Sequence, residues 1–406
     1  MKLNFRMLKN KNNLLLITLI CLVCIPQLSI SLYLPSLPHM SNDFNTGNDL
    51  MQLTLSIYMV GYAISTLACG IFSDRYGNKP VITFGLFLYL LATVICLYTS
   101  NIYVLILGRF LQALGGGCGT VLARVIAKEK FKDKEQLNVL TNLSTAIAVT
   151  PAIAPAIGSF IQTYLSWRYC FVFLLVLVSI VLILTLCILE KEKNVQGKKN
   201  INLKSIFNNY KLLLTHKIFL AYSVAIGLAW CAYYTFIQSS SFVLQGFFHV
   251  SPKSYSLMYA LVIIGYIMGT TFTRRNGSRV GLNKVIMYES YIALFSSILM
   301  VIAVWIIPYN PFGIIFPMML LMMGVGGIFP ACQAAVMKPF NEIVGTASGL
   351  FFFIQMIFGF CCGLILSAFN MTSQLPMVLT ILVCCILLVA SFYQLIYRNF
   401  KEIKRA

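Results

Sequence analysis

The chain has 406 residues, of which 59% are hydrophobic and only 10% charged, with a mean hydropathy of +0.85. Apolar runs of about twenty residues recur, longer than the core helices of a soluble domain need, and they are continuous rather than alternating, which excludes a soluble globular fold and a membrane β-barrel. The formal net charge of +19 lies in the short segments between the runs, so it is a topology signal and not a nucleic-acid footprint.

The first run begins near Leu14, after Lys2, Arg6, Lys9 and Lys11. It starts like a signal peptide but continues without an A-x-A-like site, and is expected to be an uncleaved first span. Spans are expected at 14–36, 50–72, 81–99, 102–127, 137–161, 169–189, 216–242, 255–273, 284–307, 311–337, 345–368 and 374–397. With both termini in the cytoplasm, every Lys and Arg except Arg109, Arg168 and Lys253 falls on the cytoplasmic side, as the positive-inside rule requires. The longest polar stretch separates two sets of six spans. The expected organisation is a six-helix bundle over 1–189, a cytoplasmic linker over 190–215 and a second six-helix bundle over 216–406. The thirteen cysteines lie mostly inside spans, some as neighbours such as Cys361 and Cys362 or Cys384 and Cys385, and read as small apolar fillers.

The two halves carry a faint repeat. "GIFSDRYGNKPVI" from Gly70 follows the second span and "GTTFTRRNGSRVGLNKVI" from Gly269 follows the eighth, with Thr273 in place of the acid and one residue inserted. Two six-helix halves related by a parallel repeat indicate the major facilitator architecture. The first copy, "GIFSDRYGNKP", resembles the loop 2-3 signature of the major facilitator superfamily, with Asn78 where an arginine is usual. "GRFLQALGGGCG" (108–119) resembles that family's span-4 motif, and "TPAIAPAIGSFI" (150–161) the span-5 motif of its antiporters. "LYLPSLP", "ARVIAKEKF", "WRYCFVFL" and "GTASGLFFFIQM" are similar to the Bcr/CflA drug-resistance subfamily. The resemblance implies an all-α membrane protein of twelve transmembrane helices in two pseudo-symmetric bundles. It further implies a monomeric exporter of small amphipathic compounds in a bacterial inner membrane, with protons as the coupling ion.

A transporter alternates between two arrangements separated by a few kcal/mol. Gly70, Asp74, Arg75, Gly77 and Lys79 suit a gating loop, with Asp74 bridging to the start of the eleventh span; the alternative is a solvated turn that fixes topology. Arg109 lies inside the fourth span, where a charge costs about 2.5–3.5 kcal/mol, and is expected to face the substrate cavity with Gln112 one turn on, or else to snorkel. Pro151, Pro155 and Gly158 are expected to kink the fifth span, beside a small face of Ala148, Ala152 and Ala156 that suits packing against the other half; the resemblance implies an outer gate there, and the alternative is a simple packing kink. Further cavity candidates are Gln27, Ser31, Tyr33, Tyr58, Tyr233, Tyr234, Gln238, Gln333 and Gln355. Ser31 stands where Bcr/CflA relatives place an aspartate, which points to neutral or anionic ligands and to a dedicated exporter of an endogenous metabolite; the alternative is that another group takes over the proton and cation handling is ordinary. A polycarboxylate siderophore is one such metabolite. Glu289 reads first as a rim partner of Lys284 or Arg279 and second as a proton carrier. No catalytic set, metal cluster or cofactor motif is expected, and a non-transporting sensor would need an accessory domain.

Overall fold

The computed structural model describes residues 2–190, 203–340, 343–369 and 373–394; the expected linker falls partly outside these residues. Twelve helices among the described residues are long and apolar enough to cross a membrane. The chain is a multi-pass membrane protein. In order the helices are α1 (Lys2–Ser31), α2 (Leu37–Asp43), α3 (Asn48–Tyr76), α4 (Asn78–Tyr98), α5 (Ile102–Lys130), α6 (Asp133–Tyr164) and α7 (Arg168–Ile188), then α8 (Leu203–Thr215), α9 (Lys217–Ser241), α10 (Pro252–Val280), α11 (Leu282–Ile306), α12 (Phe312–Met337), α13 (Val344–Ser367) and α14 (Leu375–Phe392). α8 occupies the C-terminal part of the polar stretch read as a linker.

Local chemistry sets the ends. Asn101 caps α5 by accepting from the Tyr103 amide at 2.8 Å, and Ser251 with Pro252 starts α10. The expected first span ran to residue 36, but α1 ends at Ser31. A 3-10 turn at Leu34–Ser36 and α2 follow: Pro35 lacks the N–H that would bond the Ser31 carbonyl, and Pro38 sits in the first turn of α2, where a proline is tolerated.

Contacts divide the chain into two units, Met1–Tyr33 with Ile57–Leu203 and Leu34–Ser56 with Lys204–Ala406. In the first, α4 packs on α5 and α7, and α1 on α5, α6 and α7. In the second, α12 packs on α10 and α11, and α9 on α13 and α14.

The backbone corrects the register of the repeat. α10 continues past Gly277, and its turn residue is Gly281, with φ 90°, matching Gly77 with φ 86°. Both positive φ values suit only glycine at low cost. Gly61 and Gly265 stand as far apart in the chain as Gly77 and Gly281, and each lets its helix touch a backbone carbonyl, of Phe110 in α5 and Met319 in α12. In this register "DRYG" pairs with "SRVG", so Ser278, not Thr273, stands where Asp74 does, and no residue is inserted between the paired glycines.

Candidate functional site

In the first unit the site is built around Arg109 of α5, which is fully buried. Its guanidinium lies over two rings, 4.5 Å from the centroid of Tyr33 and 4.4 Å from that of Tyr58. Nη2 donates to the Ser29 carbonyl at 2.7 Å and Nη1 donates to the Gln112 side-chain oxygen. Gln112 in turn donates to Thr93 of α4 at 2.9 Å. Among the described residues no carboxylate pairs with Arg109. Each desolvated cation–π contact is worth ~2 kcal/mol and each hydrogen bond to a charged group ~1.5–3 kcal/mol, so together they offset the burial cost. The rings and amide expected separately are therefore one assembly, and Arg109 does not snorkel. Ser31 is buried two residues beyond Ser29, and Gln27 is half-buried on the same helix.

The second unit holds an aromatic cluster on α9. The Trp230 ring lies 5.7 Å from Tyr233, 6.1 Å from Tyr234 and 6.0 Å from Phe329. The Tyr233 hydroxyl is 3.3 Å from that of Tyr259 on α10. A Cβ at Gly359 of α13 would lie 2.6 Å from Trp230 Nε1, and Gln355 sits one turn before that glycine. Trp230 Nε1 and Gln355 Oε1 are buried without hydrogen-bond partners. A donor and an acceptor so placed beside aromatic faces suit an amphipathic ligand with one polar edge. Two turns further along α9, Gln238 Nε2 lies within hydrogen-bonding distance of the Gly363 carbonyl at 3.0 Å, Gln52 Oε1 at 3.1 Å and Ser367 Oγ at 3.1 Å. Gln333 is half-buried on α12. Sequence reasoning missed Trp230 and Tyr259, although Trp230 precedes Tyr234 and Gln238 at the i, i+4, i+8 spacing of one helix face.

Glu289 is the one buried carboxylate among the described residues, 1% exposed. Neither of its oxygens has a partner. The rim pairing with Lys284 or Arg279 is not made, because both bases are exposed while the carboxyl points inward to α12, where a Cβ at Gly327 would lie 2.6 Å from its Cδ. Its polar neighbour is Thr273 of α10, whose hydroxyl also lacks a hydrogen bond of normal geometry.

In the segment expected to gate, Gly70, Asp74 and Arg75 belong to the last turns of α3, Gly77 is the turn, and Lys79 lies in the first turn of α4. Asp74 and Arg75 are exposed. An acid at a helix C-terminus faces the negative end of the dipole at a cost of about 0.3–1 kcal/mol, so local helix stability does not account for Asp74. Lys79 donates to the Leu186 carbonyl at 2.7 Å, near the end of α7. Asn78 donates to Glu129 of α5 at 3.0 Å, a partner the sequence did not indicate. α6 runs through Pro151 and Pro155 without interruption. It packs on α1 of its own unit, with Gly158 against the Leu32 carbonyl, while Ala148 and Ala152 are half-buried and Ala156 is exposed.

The profile of the Major Facilitator Superfamily matches residues 19–363. The chain belongs to this superfamily. It is 28% identical to multidrug resistance protein D of Escherichia coli (strain K12) over 347 residues, covering 85% of this chain and 86% of that one. It is 22% identical over 391 residues to the bicyclomycin resistance protein homolog of Haemophilus influenzae (strain ATCC 51907 / DSM 11121 / KW20 / Rd), covering 95% and 97%. Among solved structures, a D-xylose-proton symporter superposes with a TM-score of 0.70 at 13% identity, covering 92% of this chain and 96% of that one. A point mutant of the nucleoside transporter NupG gives 0.74 at 13%, covering 94% and 100%. Both share the all-helical fold of this chain.

Proposed function

We propose that this superfamily member is a monomeric secondary active exporter of small amphipathic compounds in the bacterial inner membrane, working by alternating access with protons as the coupling ion. Relatives named for multidrug and bicyclomycin resistance support the substrate class. The Lys and Arg distribution supports cytoplasmic termini. Gly70 to Lys79 serve as the gating segment, the span-5 prolines and Gly158 shape an outer constriction, and the six-helix bundles over 1–189 and 216–406 are the moving bodies.

The observation that carries the reading is the unpaired burial of Glu289. A carboxyl without a hydrogen-bond partner in the membrane is a functional feature by default, and it can carry a proton in one arrangement and release it in the other. Arg109 and the Trp230 cluster supply ligand contacts.

A second reading, export of an endogenous neutral or anionic metabolite, is favoured by Arg109, which is buried without a carboxylate partner among the described residues. Its field disfavours cations. The test is efflux of matched neutral, anionic and cationic amphipathic probes from energised cells expressing the chain. Export of several unrelated probes supports the multidrug reading, and export of polycarboxylates alone supports the metabolite reading. No export of any probe overturns both.

A further inference from the structure

Three cysteines from three helices of the second unit converge. The Sγ atoms of Cys231 (α9), Cys362 (α13) and Cys384 (α14) all lie within 4.8 Å of one another, and all three side chains are buried. The Thr235 hydroxyl lies 3.2 Å from Cys362 Sγ, and Cys231 Sγ donates to the Phe358 carbonyl at 3.2 Å. The mutual distances place the three sulfurs around one point rather than in separate packing gaps. Reading the cysteines as fillers overlooks this, because thiols brought together by three helices have no spacing signature along the chain.

We propose that Cys231, Cys362 and Cys384 form a trigonal site for one soft monovalent metal ion of the Cu(I) or Ag(I) kind. Sulfur ligands select soft ions. Three sulfurs at about 2.3 Å from a central ion stand about 4.0 Å apart, so the group closes on an ion by shifts of less than about 1 Å. A structural zinc site takes four protein ligands, and among the described residues no further His, Cys, Asp or Glu joins the group. Charge balance favours a monovalent ion as well. One S–H bond breaks as one metal–thiolate bond and two metal–thiol contacts form, and the proton leaves to water. No electron moves, and the net charge inside the bundle is unchanged, which avoids the cost of burying an uncompensated ion. The site adjoins the ligand cluster, since a Cβ at Gly363, next to Cys362, would lie 2.6 Å from Gln238 Oε1 and 3.0 Å from Tyr234 Cε1.

The test titrates the purified, reduced full chain with Cu(I) against a chromophoric Cu(I) chelator, with X-ray absorption on the loaded protein. Three proteins are compared: wild type, Cys362→Ser, and a fourfold variant (Cys21→Ser, Cys24→Ser, Cys187→Ser, Cys361→Ser) that removes outlying thiols and spares the cluster. The expected result is one ion with three sulfurs at about 2.3 Å in wild type and the fourfold variant, with a higher unfolding temperature when loaded. Cys362→Ser should lose at least about tenfold in affinity, that is ~1.4 kcal/mol. Equal retention by Cys362→Ser, tighter binding of Zn2+ than of Ag(I), or no three-sulfur copper signal in the fourfold variant overturns the proposal. If Cys362→Ser fails to fold, the fourfold variant alone decides.

Discussion

Gly327 of α12 leaves the space that the carboxyl of Glu289 on α11 fills, since a Cβ at position 327 would lie 2.6 Å from Glu289 Cδ and 2.6 Å from its Oε1. The first unit reverses the arrangement: Gly85 of α4 makes room for Cys118 of α5 at the corresponding place. The second unit thus seats a carboxyl in a helix interface where the first has only a thiol. Gly327→Ala should force the carboxyl out of its seat and lower proton-driven transport by about tenfold or more, equivalent to ~1.4 kcal/mol on the barrier. Initial rates in proteoliposomes, corrected for inserted protein, check this. A wild-type rate in Gly327→Ala would show that the seat is dispensable.

Arg109→Ala should abolish transport and destabilise the first unit, because the Ser29 carbonyl and Gln112 lose their donor in a buried setting. Arg109→Lys should retain a small fraction of activity. A lysine keeps the charge but cannot lie flat between Tyr33 and Tyr58 while donating in two directions. Comparing unfolding temperature with transport rate for both variants separates the two effects, and full activity in Arg109→Lys would mean that charge alone matters.

Asp74→Asn should leave the protein folded and inserted, since it removes the charge without changing the side chain's volume. Transport should nonetheless slow by about tenfold or more. Thermal melts and flux measured on one preparation decide this, and undiminished flux would reduce the segment to a topology turn.

Ser31→Asp places a carboxyl two residues from the carbonyl that accepts from Arg109. It should neutralise part of the positive field and raise export of a cationic probe relative to its anionic match. Proton-driven export of the cation by the wild type at the rate of the variant would contradict this.

The twelve spans were legible because lipid forces long continuous apolar runs whose ends carry charge. Arg109 and Gln112 were legible as one helix face, three residues apart. The clamp formed by Tyr33 and Tyr58 was not, since each ring comes from another part of the chain and is individually an ordinary apolar residue. The repeat was read out of register because Gly277 looks like the turn glycine, whereas the backbone gives that role to Gly281. Glu289 was drawn by its sequence neighbours toward Lys284, five residues earlier, which lies on another side of the helix. The cysteines show the same limit. Cys21 and Cys24 have C-x-x-C spacing and join no group of three among the described residues, while the three that converge are far apart in the chain.

The proposed step is exchange of a small compound for protons through Glu289. It is tested most directly by reconstituting wild type and Glu289→Gln in proteoliposomes, imposing a pH gradient, and following transport of a neutral amphipathic probe together with internal pH. Wild-type liposomes should accumulate the probe as the gradient dissipates, an ionophore collapsing the gradient should stop accumulation, and Glu289→Gln should bind the probe but neither accumulate it nor move protons. Gradient-driven accumulation by Glu289→Gln at the wild-type rate would contradict it.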